Sequence, residues 1–139
     1  MQWFIVEAAN KPGEFARHAD AIATRGVNLA SVVAIGLGDR GGAAFYARDE
    51  SGLRSALNDA GIAFREVSVI FAELEDKPGT VADATRRLGD AGVNIELLVS
   101  MGLTSPGTAR VAFGVDKMEE ARQALGDLVS TTAATGSPV

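Results

Sequence analysis

The sequence predicts an α+β protein made of two tandem ferredoxin-like βαββαβ units with antiparallel sheets, and three observations predict it. Lys11-Pro12-Gly13 recurs as Lys77-Pro78-Gly79, 66 residues further on. Each copy is followed at the same interval by one triplet, Gly26-Val27-Asn28 and Gly92-Val93-Asn94, and Ala16/Ala82, Val33/Val99 and Gly36/Gly102 keep the register. Between these markers the apolar spacing switches from strand-like to helix-like twice per copy. Self-similarity at a fixed long period means one structural unit repeated. The expected units are residues 1–66 and 67–130, with a Ser/Thr/Ala/Gly/Pro tail at 131–139.

Each element has its own local reason. Gln2 to Ala8 is a short apolar run of strand formers, interrupted by Asn10-Lys11-Pro12-Gly13. Pro12 suits the first helical position, because its φ is already helical and its missing N–H would be unpaired there anyway. Phe15, Ala19, Ile22 and Ala23 then fall on one helix face, and Gly26 sits where the helix would stop; Val81, Thr85, Leu88 and Gly92 repeat the pattern. Leu29 to Leu37 is a strand-length run followed by glycines, and Ala43 to Arg48 returns as its hairpin partner. Strict alternation places Leu29, Val33, Ile35 and Leu37 on one face of that strand and Ala30, Val32 and Ala34 on the other. Asp49 is placed to cap a second helix with its stripe at Leu53, Ala56, Leu57 and Ala60. The other copy offers a capping box, Asp116 and Glu119, before Ala121, Ala124, Leu125 and Leu128. Ile62 to Val67 is the expected last strand of the first unit, and without Gly or Pro before Leu74 it runs into the first strand of the second. The second unit's fourth strand is expected at about Leu128 to Thr132.

Composition narrows the function. A chain of 139 residues with 47% hydrophobic content can bury a core. Its net charge of −5 removes the usual electrostatic basis for nucleic-acid binding. Zero cysteines and a lone His18 leave no disulfide, no thiol nucleophile and no zinc set, so neither a cofactor nor a metal is expected. The N-terminal apolar run Trp3 to Val6 is stopped by Glu7, so the expectation is no signal peptide, no membrane span and a cytoplasmic location.

Four local patterns raise chemical questions. Gly36-Leu37-Gly38-Asp39-Arg40-Gly41 matches G-x-G-x-x-G, but a strand follows it where a dinucleotide site needs a helix, so a hairpin loop is expected. His18 has no paired nucleophile or second ligand, and Ala84 stands at its counterpart, which argues against a catalytic or metal role. Glu73, Glu75 and Asp76 read as a solvated acidic turn, and Trp3 and Phe71 as core. The doubled Pro-Gly turn is the feature that suits a ligand. Gly13 and Gly79 carry no side chain to block an approach to the free amides of the following helix, where a carboxylate is favoured. The amides of Asn28 and Asn94 offer both donor and acceptor to a zwitterion. The structural alternative is that Pro-Gly merely starts a helix and Asn merely tolerates a turn.

Asn10-Lys11-Pro12-Gly13-Glu14-Phe15 with Gly26-Val27-Asn28-Leu29, and Asp76-Lys77-Pro78-Gly79-Thr80-Val81 with Gly92-Val93-Asn94-Ile95, resemble the ACT domain, an amino-acid-sensing module. The resemblance runs from about Gln2 to Val129 as a tandem pair. It implies the βαββαβ fold and amino-acid binding between paired domains through the loop after the first strand. The residues it marks as ligand-binding are Asn10, Lys11, Pro12, Gly13, Glu14, Phe15, Asn28 and Leu29, and Asp76, Lys77, Pro78, Gly79, Thr80, Val81, Asn94 and Ile95. The position that carries a His in serine-sensing members is Ala8 here and Leu74 in the second copy, and the Asp-Lys-Pro-Gly form is more similar to aspartate kinase regulatory domains. The implied function is a non-catalytic regulatory protein that senses a small amino acid at the strand-helix turns and domain interfaces. It is expected as a homodimer that controls an enzyme of amino-acid metabolism. The alternative is a structural or partner-binding module without a ligand, its two-faced apolar strands serving as the interface.

Overall fold

The computed structural model describes residues 1–131, which form two compact units divided between Glu66 and Val67. The first contains β1 (Gln2–Ala9), α1 (Glu14–Thr24), β2 (Leu29–Leu37), β3 (Arg40–Ala47) and α2 (Glu50–Asp59). In it β3 pairs antiparallel with both β1 and β2. The second contains β4 (Arg65–Glu75), α3 (Thr80–Asp90), β5 (Ile95–Ser105), β6 (Thr108–Val115), α4 (Met118–Leu125) and a 3₁₀ turn, Gly126–Leu128. There β6 pairs antiparallel with β4 and β5. The expected α+β class with antiparallel pairing is what the chain adopts.

The repeated Gly-Val-Asn triplet is a helix terminator. At the end of α1, Gly26 has φ 70°, its N–H donates to the Ala23 carbonyl at 2.8 Å, and the Val27 N–H donates to Ile22 at 3.4 Å. Gly92 and Val93 close α3 on Gly89 and Leu88 in the same way, both at 3.0 Å. These paired bonds satisfy the last carbonyls of each helix, and the flanking Val27/Ile22 and Val93/Leu88 pairs are buried together. A glycine is required because the closing residue must adopt positive φ.

The glycine of each Pro-Gly pair also has a backbone duty. Gly13 and Gly79 are the N-cap residues, with φ 88° and 95°. Pro12 therefore stands before the cap and not at the first helical position.

Three further expectations are corrected. Ile62 to Phe64 are not strand, because the Ile62 N–H closes α2 on the Leu57 carbonyl at 3.0 Å; the chain becomes extended at Arg65 and β4 then runs 11 residues to Glu75. The second unit's fourth strand shrinks to one antiparallel bridge, Val129 with Ala72, since the 3₁₀ turn uses Leu128; Thr132 lies outside the described residues, as does the expected tail beyond Thr131. Asp116 does not cap α4, whose N-cap is Lys117; its Oδ1 accepts the Asn94 N–H at 2.8 Å instead. Asp49 does cap α2, accepting the Gly52 N–H at 2.8 Å.

On β2 a register shift between Leu29 and Ser31 pairs Leu29 with Ala47 but Ser31 with Tyr46. The extra residue moves Leu29 to the helix-covered side, where it packs with Val32, and leaves Val33, Ile35 and Leu37 facing the other way. Each core lies between its strands and its two helices. Phe4, Val6 and Phe45 meet Ile22, Leu53 and Leu57 in the first unit; Ile70, Leu74 and Phe113 meet Leu88 and Leu125 in the second. Each such burial contributes about 1.5–3 kcal/mol. Trp3 and Phe71 are buried as expected, Trp3 stacked on Tyr46 at 5.9 Å.

Candidate functional site

The first strand-helix turn forms one wall of a cavity of about 200 Å³. Asn10, Lys11, Glu14 and Phe15 line it from the turn and the start of α1, and His18 joins them one turn further on. The rest is small: Ala8 of β1, Ala34 and Gly36 of β2, and Gly41 and Ala43 of β3, with Ile35 and Gly42 beside them. Such a space is below the ~300–1,000 Å³ of sites for drug-sized ligands and suits a smaller molecule.

The turn is held rigidly over the β2-β3 hairpin. The Asn10 N–H donates to the Asp39 carbonyl and its Nδ2 donates to the Gly38 carbonyl, both at 2.9 Å. A Cβ on Gly36 would sit 2.5 Å from Asn10 Nδ2, so this glycine makes room for the amide. The glycines of the G-x-G-x-x-G run thus build a hairpin turn and its fit to the loop. In the second unit the Asp76 N–H donates to the Gly107 carbonyl at 2.9 Å, repeating the backbone contact without the side-chain one.

Three charged or titratable groups follow each other along α1. Arg17 donates to Glu14 Oε2 at 3.3 Å and to His18 Nε2 at 3.2 Å. The Arg17 hydrogen bond holds the Glu14 carboxyl below its usual range. Burial pushes the His18 pKa down, the Arg17 charge adds to this, and Glu14 opposes it. His18 is only 2% exposed and is uncharged at neutral pH. A guanidinium can only donate, so Nε2 is the acceptor and the proton sits on Nδ1, which has no partner among the described residues. Phe15 stacks on Phe45 with centroids 6.1 Å apart.

A second cavity, of about 190 Å³, adjoins the other turn but takes a different wall. Leu74, Glu75, Lys77 and Thr80 line it with Asp83 and Arg87 of α3 and Leu128 of the 3₁₀ turn. Thr80 Oγ1 donates back to the Glu75 carbonyl at 2.9 Å, and Lys77 pairs with Glu75.

The structure therefore gathers Asn10, Lys11, Glu14 and Phe15 at one cavity and Lys77 and Thr80 at another. Pro12, Gly13, Asp76, Pro78 and Gly79 belong to the turns and Val81 to the first turn of α3, without lining either cavity. Asn28, Leu29, Asn94 and Ile95 lie at the far ends of β2 and β5, where Leu29 and Ile95 pack on the cores and Asn94 bonds Glu96 at 2.8 Å. Helix α1 separates Asn28 from the turn, so the chain returns at the opposite end of the strands.

Sequence reasoning passed over His18 and the small residues of β3. The available signal was the difference between the copies. In the paired registers Gly42 stands opposite Glu7 where Arg110 stands opposite Glu73. Glu73 is not part of a solvated turn: it accepts from Arg110 at 2.6 Å and from Ser130 at 3.3 Å, and Arg110 holds its carboxyl below the usual range. Arg110 is buried, and its Nε has no partner among the described residues.

Among the described residues no helix is long and apolar enough to cross a membrane, and no group of three or more His, Asp or Glu is placed to hold a metal ion. No protein-family model matches the chain, and no curated protein matches its sequence. Solved structures do resemble it. A protein from Bacteroides thetaiotaomicron is 22% identical with a TM-score of 0.69, over 89% of this chain and 85% of that one. The ligand-free regulatory subunit of aspartate kinase from Thermus thermophilus is 21% identical with a TM-score of 0.59, over 91% and 90%. The Clostridium acetobutylicum aspartate kinase, an allosteric enzyme, is 10% identical with a TM-score of 0.63, over 93% of this chain and 33% of that one. At these identities the likeness is one of fold, and the fold is that of ACT-domain proteins, which include the aspartate kinase regulatory subunits.

Proposed function

We propose that this chain is a non-catalytic regulatory protein, a tandem pair of ACT-type units that binds a small amino acid at a strand-helix turn and thereby controls an enzyme of amino-acid metabolism. The observation that carries the reading is the first cavity. Its wall sets the Lys11 ammonium and the Glu14 carboxylate near one another beside the first turn of α1, and behind them stands the neutral imidazole of His18. A zwitterion needs a cation or free amides for its carboxylate and an acceptor for its ammonium, and this wall carries both. A thermal-shift screen of the twenty amino acids at millimolar concentration tests it. A ligand at a hundredfold over its Kd stabilises by about 2.7 kcal/mol, which raises the melting temperature of a domain of this size by roughly 5–10 °C. No shift with any amino acid removes the proposal.

A second reading is supported by exposed apolar side chains at the ends of the outer strands: Ile35 at 59%, Leu37 at 69% and Leu103 at 63%. On this reading the chain is a partner-binding module without a ligand. Such apolar strand ends are also the basis for a homodimer, twice the 14.4 kDa chain, and light scattering that gives the mass of a single chain at tens of micromolar counts against the homodimer.

A further inference from the structure

We infer that the first unit alone holds the ligand, one molecule per chain, and that His18 selects an amino acid whose small uncharged side chain carries an oxygen, by donating its Nδ1–H to that oxygen. The inference deepens the amino-acid reading and rests on it. Lys11 is exposed and Glu14 partly buried, whereas His18 is buried deeper along α1. A zwitterion held by the two charged groups therefore directs its side chain toward His18 and the small residues Ala8, Ala34, Gly41 and Ala43. Arg17 occupies Nε2 at 3.2 Å and so fixes the tautomer that offers Nδ1–H. With Nε2 engaged by Arg17, Nδ1–H is the ring donor left to a ligand oxygen.

The second unit keeps a lysine, Lys77, but lacks the acid, the imidazole and the small residues, with Thr80 at the position of Glu14. Ala84 replaces His18, Leu74 replaces Ala8, and in the paired register Val111 replaces Ala43. Leu74, Ala84 and Val111 are all buried members of the second core. The space that small residues leave open beneath α1 is thus taken by side chains beneath α3. Gly41, whose Cβ would meet the Ile35 carbonyl at 2.6 Å, has Ala109 at its counterpart, so the hairpin backbones differ as well.

Isothermal titration of the full chain with serine, threonine, asparagine, alanine and valine tests the inference. The expected result is one molecule per chain, with threonine, serine or asparagine bound at least tenfold more tightly than valine and alanine. Threonine and valine have nearly the same shape, so their ratio isolates the hydroxyl. His18→Ala should weaken the preferred ligand at least tenfold and bring threonine and valine level. His18→Asn, which keeps a donor at the δ position, should recover most of the loss, as a purely structural role would not. Ala8→Leu imports a side chain that Leu74 shows the fold to accommodate, and should abolish binding with a normal melting curve. Two molecules per chain, equal affinity for threonine and valine, or unchanged binding by His18→Ala overturns this inference and leaves the amino-acid reading standing. Binding of none of the twenty amino acids removes both. If His18→Ala does not fold, the stoichiometry, the threonine-to-valine ratio and Ala8→Leu decide.

Discussion

Gly13→Ala and Gly79→Ala should both destabilise the protein, and the amount follows from the backbone alone. Gly13 has φ 88° and ψ −13°, Gly79 φ 95° and ψ −17°, and a Cβ built on either meets nothing within 4 Å. Steric clash with neighbours is therefore absent, and what remains is the strain of an L-residue in left-handed conformation, about 1–2 kcal/mol. With an unfolding entropy of about 2.1 cal/mol/K per residue, a chain of this length loses roughly 3–4 °C of melting temperature per kcal/mol, so each variant should melt about 3–7 °C lower. Gly13→Asn should lose less, because Asn tolerates positive φ. Gly89→Ala is the control. Gly89 lies inside α3, has no positive φ and has nothing within 4 Å of its Cβ position, so this change should stabilise by up to about 0.5–1 kcal/mol. Differential scanning calorimetry on the parent and the four variants decides it. If Gly13→Ala melts with the parent to within about 1 °C, positive φ is not what the repeated glycine supplies, and the reasoning fails. For the same reason a Cβ-branched residue at Gly13 perturbs the fold together with any ligand, so it cannot isolate binding.

Removing the α2 cap with Asp49→Ala should cost about 1 kcal/mol, read as a fall of roughly 3 °C in the melting temperature. Leu88→Ala truncates a side chain that is 0% exposed in the second core and should cost about 2–5 kcal/mol, measured by urea denaturation with an unchanged m-value. Glu73 and Glu66 both have folded pKa values depressed first by a hydrogen bond from arginine, Arg110 and Arg54 respectively. A depressed folded pKa contributes stability that is complete above the unfolded carboxylate pKa of about 4.3 and is lost as pH falls through the lower folded value. Melting temperature should accordingly hold from pH 7 to about pH 5 and fall below about pH 4, and the difference between the parent and Glu73→Gln should shrink over the same acid range.

How much of this was legible in the residues depends on the distance over which each feature is decided. The order strand, helix, strand, strand, helix was readable twice, because helix stops and hairpin turns are settled within a few residues: Gly26 and Gly92 must adopt positive φ, and Asp49 reaches its own helix's amides. The turn residues Asn10, Lys11, Glu14 and Phe15, which the resemblance to the ACT domain marked as candidates, line the first cavity. Tertiary structure decided what depends on register and on contacts between distant elements. The shift between Leu29 and Ser31 moves Leu29 to the face opposite Val33, Ile35 and Leu37, an effect of one extra residue that alternation cannot show. Asp116, well placed as a local cap, is taken by Asn94 across 22 residues of chain. Asn28 was a reasonable partner for the turn until the length of α1 carried it to the opposite end of the strands. His18 looked unremarkable beside its neighbours and became the most informative residue of the cavity only when Ala8, Gly41 and Ala43 were folded against it, since an open space is the product of several small side chains brought together from three strands.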